Sequence, residues 1–203
     1  MVAQVLDLPW CDSLGVSWGR ASIADVAPLL RQRHYLGARS SGSLVFAGWA
    51  DGAVVACQVW GTPTSRRLPS DGSWLELARW CLTPEAGRDA GSRMHAYVVR
   101  WMREQAPGVT TLVSYSDPSR GHTGALYRAC NWTWAPTWLR LRPPPSGQGD
   151  WGSGRQAVKD RWIFALRPDA RRAGVLLVDD IAAVRGFTPT RPHESAWLAH
   201  RAR

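Results

Sequence analysis

From residue 22 the apolar positions fall at helical spacing, with Ile23, Val26, Leu29, Leu30 and His34 on one face of a 3.6-residue period. Ser22-x-x-Asp25 has the form of a capping box. Pro28 suits only the first turn of a helix, which predicts a cap nearer Asp25, and Gly37 predicts the stop. The period then changes. LVFAGWA and AVVACQVWG, separated by Asp51-Gly52, predict a hairpin over 44–60 with a two-residue turn. WLELARWCL, 74–82, is apolar on both faces and predicts a strand inside a sheet. Met94, Val98, Trp101, Met102 and Gln105 mark the buried stripe of a second helix, ended by Ala106-Pro107-Gly108. A strand at 109–113, a short helical run from Ala125 to Ala129, an alternating strand at 138–142 and its partner at 160–167 complete the pattern. Val5-Leu6 and Val16-Ser17-Trp18 have short-strand character before it. The order predicts an α/β fold, a single domain with one mixed central sheet and helices on both faces. That domain spans 1–167, with a flexible Pro/Gly-rich insertion at 143–154 and a C-terminal extension over 168–203.

Composition narrows the class. The 203 residues suit one well-cored domain. No apolar run approaches the about 20 residues of a membrane span, and MVAQVLDLPWCD has no basic region ahead of an apolar core, so a cytoplasmic location is expected. Cys11, Cys57, Cys81 and Cys130 are scattered without zinc spacing, which fits a reducing interior. Net charge is +9, and 24 of the 25 basic residues are Arg, Lys159 being the exception. A compositional bias explains Arg over Lys but not the surplus over acids. Arg pairs bidentately with phosphate and stacks on bases, so a polyanion such as nucleic acid is the expected partner. Thirteen Trp supply core and, in part, stacking surfaces.

The chemistry-bearing residues concentrate in VSYSDPSRGHTGALYRACNWTW, 113–134. There an apolar strand breaks at Tyr115-Ser116-Asp117-Pro118 and crosses a Gly-flanked His122 into a short helix. Open α/β sheets place ligands at such strand ends. Asp117 is either a turn cap or a base for an amine; Tyr127 is either a packed helix residue or a general acid. His34 and Tyr35 either sit on a helix C-terminus or face the cleft. Glu76 and Arg79 either pair internally or line it. The strand 74–82, the loop Arg88-x-x-Gly91-Ser92-Arg93 and the helix after it form a pyrophosphate-binding arrangement, because a helix start offers unpaired N–H groups and a positive dipole end.

Strand, R-x-x-G-S loop, helix, strand, then Ala125-x-Tyr127-x-x-Cys130-Asn131-Trp132 resembles the GNAT (Gcn5-related N-acetyltransferase) fold. The resemblance implies that Arg88, Gly91, Ser92 and Arg93 hold the pyrophosphate of acetyl-CoA or a related coenzyme A thioester. It also implies that the strand around Ala78, Arg79 and Cys81 serves the thioester, and that Tyr127 protonates the departing thiolate. The loop departs from the usual second glycine at Ser92-Arg93, and Asn131-Trp132 stands for Gly-Phe.

Within that fold, His34-Tyr35-Leu36-Gly37, Leu75-Glu76-Leu77-Ala78-Arg79, Ser114-Tyr115-Ser116-Asp117, Gly121-His122-Thr123-Gly124, Tyr127-Arg128-Ala129 and Lys159-x-Arg161-Trp162-Ile163 resemble, in order, the phage Mom DNA-modification family. That resemblance implies an enzyme, a transferase converting adenine in double-stranded DNA to its methylcarbamoyl form and shielding phage DNA from host restriction. It implies His34, Tyr35, Asp117, His122 and Tyr127 as catalytic residues, and an associated iron with His34, Asp117 and His122 as its candidate ligands. Ser114, Tyr115, Arg66, Arg67, Arg142 and Arg155 are the expected DNA contacts, since extruding a base requires phosphate clamps and stacking walls. Two other readings stand beside it: an N-acetyltransferase for a protein or small-molecule amine, and a DNA-binding protein on an inactive acetyltransferase scaffold.

Overall fold

The computed structural model describes residues 10–39, 42, 44–66, 68–135 and 159–167. The expected strands at Val5-Leu6 and 138–142, the insertion at 143–154, the extension from 168, and Arg67, Arg142 and Arg155 lie outside them. Among the described residues, strands β1 (Trp10–Cys11), β2 (Ser17–Arg20), β3 (Leu44–Ala50), β4 (Ala53–Gly61), β5 (Trp74–Leu82), β6 (Thr111–Ser116), β7 (Thr133–Ala135) and β8 (Asp160–Ala165) form one sheet in the order β1-β2-β3-β4-β5-β6-β8-β7. Helices α1 (Ile23–Arg33), α2 (Ala90–Gln105) and α3 (Ala125–Ala129) connect them. Every neighbouring pair is antiparallel except β5–β6, whose crossover through α2 returns the chain to the same end of the sheet.

Asp51 (φ 49°) and Gly52 (φ 76°) both take the left-handed conformation of the hairpin turn between β3 and β4. The capping box forms at Ser22: its Oγ accepts from Asp25 N–H at 3.2 Å and the Asp25 carboxylate accepts from Ser22 N–H at 2.7 Å. The cap is therefore Ser22, not a residue nearer Asp25, and Pro28 lies inside α1. The helix tolerates it because Pro28 and Ala24 are both exposed, so the Ala24 carbonyl that loses its amide partner meets solvent. Two expectations change at the other edge. β6 runs through Ser116 rather than stopping at Val113, and β8 pairs with Thr133–Ala135 on one side and with β6 on the other.

Val26, Leu29 and Leu30 of α1 pack on Val45, Ala47, Cys57, Val59 and Cys81 at one face of the sheet. Met94, Val98 and Met102 of α2, spaced i, i+4, i+8, are each 0% exposed against the other face, a burial of about 1.5 to 3 kcal/mol per side chain. His95 lies in the same layer. Burial pushes its pKa down to about 3, with the charge of Arg103 adding to the effect. Between that value and the about 6.5 of an unfolded His, the unfolded chain holds the extra proton, so stability declines as pH falls below about 6.5. Half-buried His34, held at about 4 by burial, Arg79 and His122, acts in the same direction. The thermal midpoint is expected to drop steadily from pH 7 to 4.5. His95→Gln keeps an acceptor for Trp132 and cannot titrate, so it should flatten that slope in part.

Candidate active site

β5 and β6 are paired only over Trp74–Leu77 and Thr111–Ser114. Past that point β5 continues against β4 and β6 against β8, so the two parallel strands part and leave a fork in mid-sheet. A bulge shapes its β5 side. Val59 opposes Arg79 and Trp60 opposes Leu77, leaving Ala78 without a partner on β4. The extra residue inverts the alternation of side chains. Leu75, Leu77, Trp80 and Leu82 pack in the α2 layer, whereas Trp74, Glu76, Arg79 and Cys81 serve the opposite face.

On the α2 side, the fork is closed by Tyr127 from α3. Ser114 Oγ donates to the Leu77 carbonyl at 2.9 Å and lies 2.9 Å from the Tyr127 hydroxyl. A serine hydroxyl carries one proton, so Tyr127 donates to Ser114. Trp162 stacks on the Tyr127 ring at 5.2 Å and 9°, while Trp80 and Trp132 meet its edges at 5.7 and 5.5 Å. Burial pushes the Tyr127 hydroxyl up to about 12, partly offset by the Ser114 bond. Trp162 Nε1 donates to Ser116 Oγ at 2.9 Å. Gly124 (φ +73°) starts α3, and a Cβ there would stand 2.2 Å from Trp162 Cζ2. Gly124→Ala is expected to cost about 2 to 4 kcal/mol through left-handed strain and overpacking, read as a lower urea midpoint at unchanged slope.

On the α1 side stand the residues of the second polar group. His34 caps α1 and stacks on Tyr35 at 5.1 Å; Tyr35 meets His122 edge-on at 5.3 Å, and the Arg120 guanidinium lies 5.6 Å from the Tyr35 ring centre. Burial raises the Tyr35 hydroxyl pKa, with Asp117 adding to it and Arg79 and Arg120 opposing. Asp117 is 5% exposed. Its main chain holds the turn after β6: its carbonyl accepts from Arg120 N–H at 3.0 Å and its N–H donates to His122 Nδ1 at 3.3 Å. His34 Nδ1 likewise accepts from Leu36 N–H at 3.2 Å. A neutral imidazole that accepts at Nδ1 carries its proton on Nε2, so both histidines offer donors outward, and Asp117 is the acceptor of this group.

Several expected residues play other parts than the sequence suggests. Ser114 and Tyr115, grouped as one substrate contact, point to opposite faces of β6, because strand side chains alternate. Ser114 belongs with Tyr127; Tyr115 lies with Trp74, Val113 and Leu68, its hydroxyl pKa raised by burial and by Glu76 and lowered by Arg161. Glu76 is buried and accepts from Thr64 N–H and Oγ1 at 2.7 and 2.9 Å, anchoring the loop that bears Arg66. Arg79 turns away from the coenzyme side and donates through Nε to the Gly37 carbonyl at 3.0 Å, tying the exit of α1 to the fork. The Cys81 side chain fills the α1 core. His34, Asp117 and His122 do not form a metal site: both Nδ1 atoms are taken by backbone N–H groups, and among the described residues no cluster of three His, Cys, Asp or Glu could hold an ion.

At the start of α2, Asp89 (φ 57°) is the cap residue but makes no side-chain cap bond, so the first-turn N–H groups have no intrahelical or capping partner. Arg88 stands exposed beside Asp89 at 3.8 Å. Arg93 does not reach outward as expected. It pairs with Asp12 and donates to the carbonyls of Ala86 and Arg88 at 2.7 and 3.2 Å, shaping the loop from within. Gly91 has no Cβ because one would meet Leu126 Cδ1 at 2.2 Å, which brings α3 close to this helix end. Trp162 and Trp132 fall within the sequence motifs without a role of their own there. The alternation of DRWIFA, which turns Trp162 and Phe164 inward together, was the available signal for the first.

A mixed sheet forked beside an uncapped helix start, with a tyrosine closing the fork, is the architecture of the GNAT fold. Solved structures agree on the fold. The chain is similar to yncA of Salmonella typhimurium, a candidate acetyltransferase solved with its cofactor acetyl-CoA (TM-score 0.53, 14% identity, 76% of this chain and 95% of that one). It is also similar to the ribosomal-protein-S18-alanine N-acetyltransferase of Escherichia coli (0.50, 15%, 74% and 92%). A GNAT-family acetyltransferase candidate from Desulfovibrio desulfuricans scores 0.50 at 14% identity over 75% of this chain and 99% of that one. The model of the Mom protein family matches residues 19–141, more than half of the chain. This protein belongs to the Mom family. No protein of curated function matches it, and among the described residues no helix is long and apolar enough to cross a membrane.

Proposed function

We propose that this protein acts on the exocyclic amine of adenine in double-stranded DNA, the amine that carries the methylcarbamoyl group in its family, with a coenzyme A thioester as acyl donor. The observation that carries the reading is the two-sided fork. A proton-holding tyrosine stands on the helix side, and an acceptor carboxylate with two imidazole donors stands on the other. The residues present fit coenzyme A: the uncapped N–H groups of α2 and the exposed Arg88 suit its pyrophosphate, and the open β5 edge near Ala78 suits a thioester oxygen. When bound, the coenzyme supplies a carbonyl activated toward nucleophiles and a thiolate as leaving group.

Asp117 accepts a proton from the adenine amine, which is poorly nucleophilic because its lone pair is delocalised into the ring. His34 and His122 donate through Nε2, and Tyr35 lends a partly exposed ring to the same cleft. Tyr127, kept protonated by its raised pKa, redirects its proton from Ser114 to the departing sulfur. The net charge of +9 supports a polyanionic partner, with Arg120 beside Tyr35 and Arg66 on the loop that Glu76 anchors as phosphate contacts.

Attack of the amine on a thioester carbonyl forms an N-acyl adenine and releases a thiol, whereas the methylcarbamoyl product is joined through its methyl carbon. The two adducts differ in mass and fragmentation. Mass spectrometry of nucleosides from DNA exposed to the protein tests the reading and reads which bond forms; unmodified adenine in every sample would sink it.

A further inference from the structure

Five side chains in the α2 layer close into a ring beside the fork. Gln58 and Trp80 are direct partners across β4 and β5, so they share a face. Trp60 Nε1 donates to Gln58 Oε1 at 3.2 Å and stacks on Trp132 at 6.3 Å. Trp132 Nε1 donates to His95 Nε2 at 3.0 Å, and the His95 ring lies 5.7 Å from that of Trp80. Tyr127 touches the ring at Trp80 and Trp132, and its hydroxyl marks the point of the fork.

The hydrogen-bond roles in this ring are forced. An indole N–H only donates, so Gln58 Oε1 and His95 Nε2 are both used as acceptors. What remains is three donors: the Gln58 amide nitrogen, His95 Nδ1–H and Trp80 Nε1–H. All three are buried and none has a partner. Gln58 is 0% exposed and His95 4%. Orphaned donors in an apolar layer destabilise it unless an acceptor meets them, and the second lone pair of Gln58 Oε1 meets none of the three.

We propose that the ring is a subsite for the acyl end of the donor, taking a neutral acyl chain that carries a second carbonyl-type oxygen beyond the thioester. This rests on the coenzyme A reading above. The thioester oxygen has main-chain donors at the open edge of β5, so three additional side-chain donors call for an additional oxygen. Its charge follows from the ring. No Lys or Arg belongs to it, and Arg103, the cation that bears on His95, donates to the Leu166 carbonyl. A buried carboxylate without a cation is unfavourable, so the oxygen is that of an amide or ketone rather than an acid.

Titration of the full chain with coenzyme A, acetyl-CoA, acetoacetyl-CoA and malonyl-CoA, followed by calorimetry, tests this. Acetoacetyl-CoA is expected to bind about tenfold more tightly than acetyl-CoA, with malonyl-CoA no better than acetyl-CoA. Trp80→Phe removes one forced donor without depriving any neighbour of an acceptor. It should reduce that preference severalfold and leave coenzyme A affinity within about twofold. Equal binding of acetyl-CoA and acetoacetyl-CoA by the wild type, a malonyl preference, or a preference untouched in Trp80→Phe overturns the subsite and leaves these donors to ordered water. Failure of all four ligands to bind overturns the coenzyme A reading with it.

Discussion

Asp117→Asn is expected to lower the turnover of DNA modification by a hundredfold or more, the usual effect of removing a positioned general base. The substitution is isosteric, and the turn it sits in is held by the main chain: Asp117 N–H to His122 Nδ1, and its carbonyl to Arg120 N–H and His122 N–H. None of these bonds depends on the carboxylate. DNA affinity should hold while turnover collapses. His122→Ala is the informative comparison. With its Nδ1 accepting, His122 presents a proton rather than a lone pair, so its loss should weaken orientation and cost less than the loss of Asp117. A larger fall for His122→Ala in single-turnover modification would reverse the assignment.

Arg93→Ala is expected to be among the most destabilising single changes in the described chain. Asp12 is 8% exposed, and its carboxylate accepts from Trp18 Nε1 at 2.8 Å and from Leu14 and Val16 N–H at 2.9 and 3.2 Å. Arg93 completes the set, lies 5.6 Å from the Trp18 ring centre, and holds two carbonyls of the loop before α2. Removing it leaves a buried carboxylate without its cation, which costs about 3 to 5 kcal/mol. Coenzyme affinity should fall as well, because the loop loses its internal brace. Burial raises the Asp12 pKa, but the three hydrogen bonds and Arg93 lower it further, so the net shift is downward. The sign is that of a depressed carboxylate: its stabilising contribution is complete above the unfolded value of about 3.9 and is lost only as pH falls through the folded one. In urea unfolding at pH 7, Arg93→Ala should therefore show the full loss, and adding Asp12→Asn should recover part of it. Additive losses in the double variant would show that the pair is not the source.

The order of elements was legible because it rests on local rules. The capping box at Ser22, the left-handed pair Asp51-Gly52 and the i, i+4, i+8 stripe of α2 each act within a few residues. The family was legible for a related reason, since most of its short motifs fall at element ends, where side chains are constrained by the turn beside them. His34-Tyr35 and Asp117 to His122 were named from those motifs, and the rings of Tyr35 and His122 do meet.

What tertiary structure decided is which way each side chain points and what it has to bond. The bulge at Ala78 depends on the register of β4 against β5, and it alone turns Arg79 toward α1 and Trp80 toward α2. The division of Ser114 from Tyr115 follows from β6 running on to Ser116 as a strand, which its pairing with the distant β8 secures. Arg93 reads as a phosphate ligand until Asp12, 81 positions away, takes its guanidinium. The unmet donors of Gln58, Trp80 and His95 come from β4, β5 and α2, while Trp60 and Trp132 donate to Gln58 Oε1 and His95 Nε2. A sequence carries the donors and acceptors; long-range packing, which sets who is within 3 Å of whom, decides which of them remain unmatched.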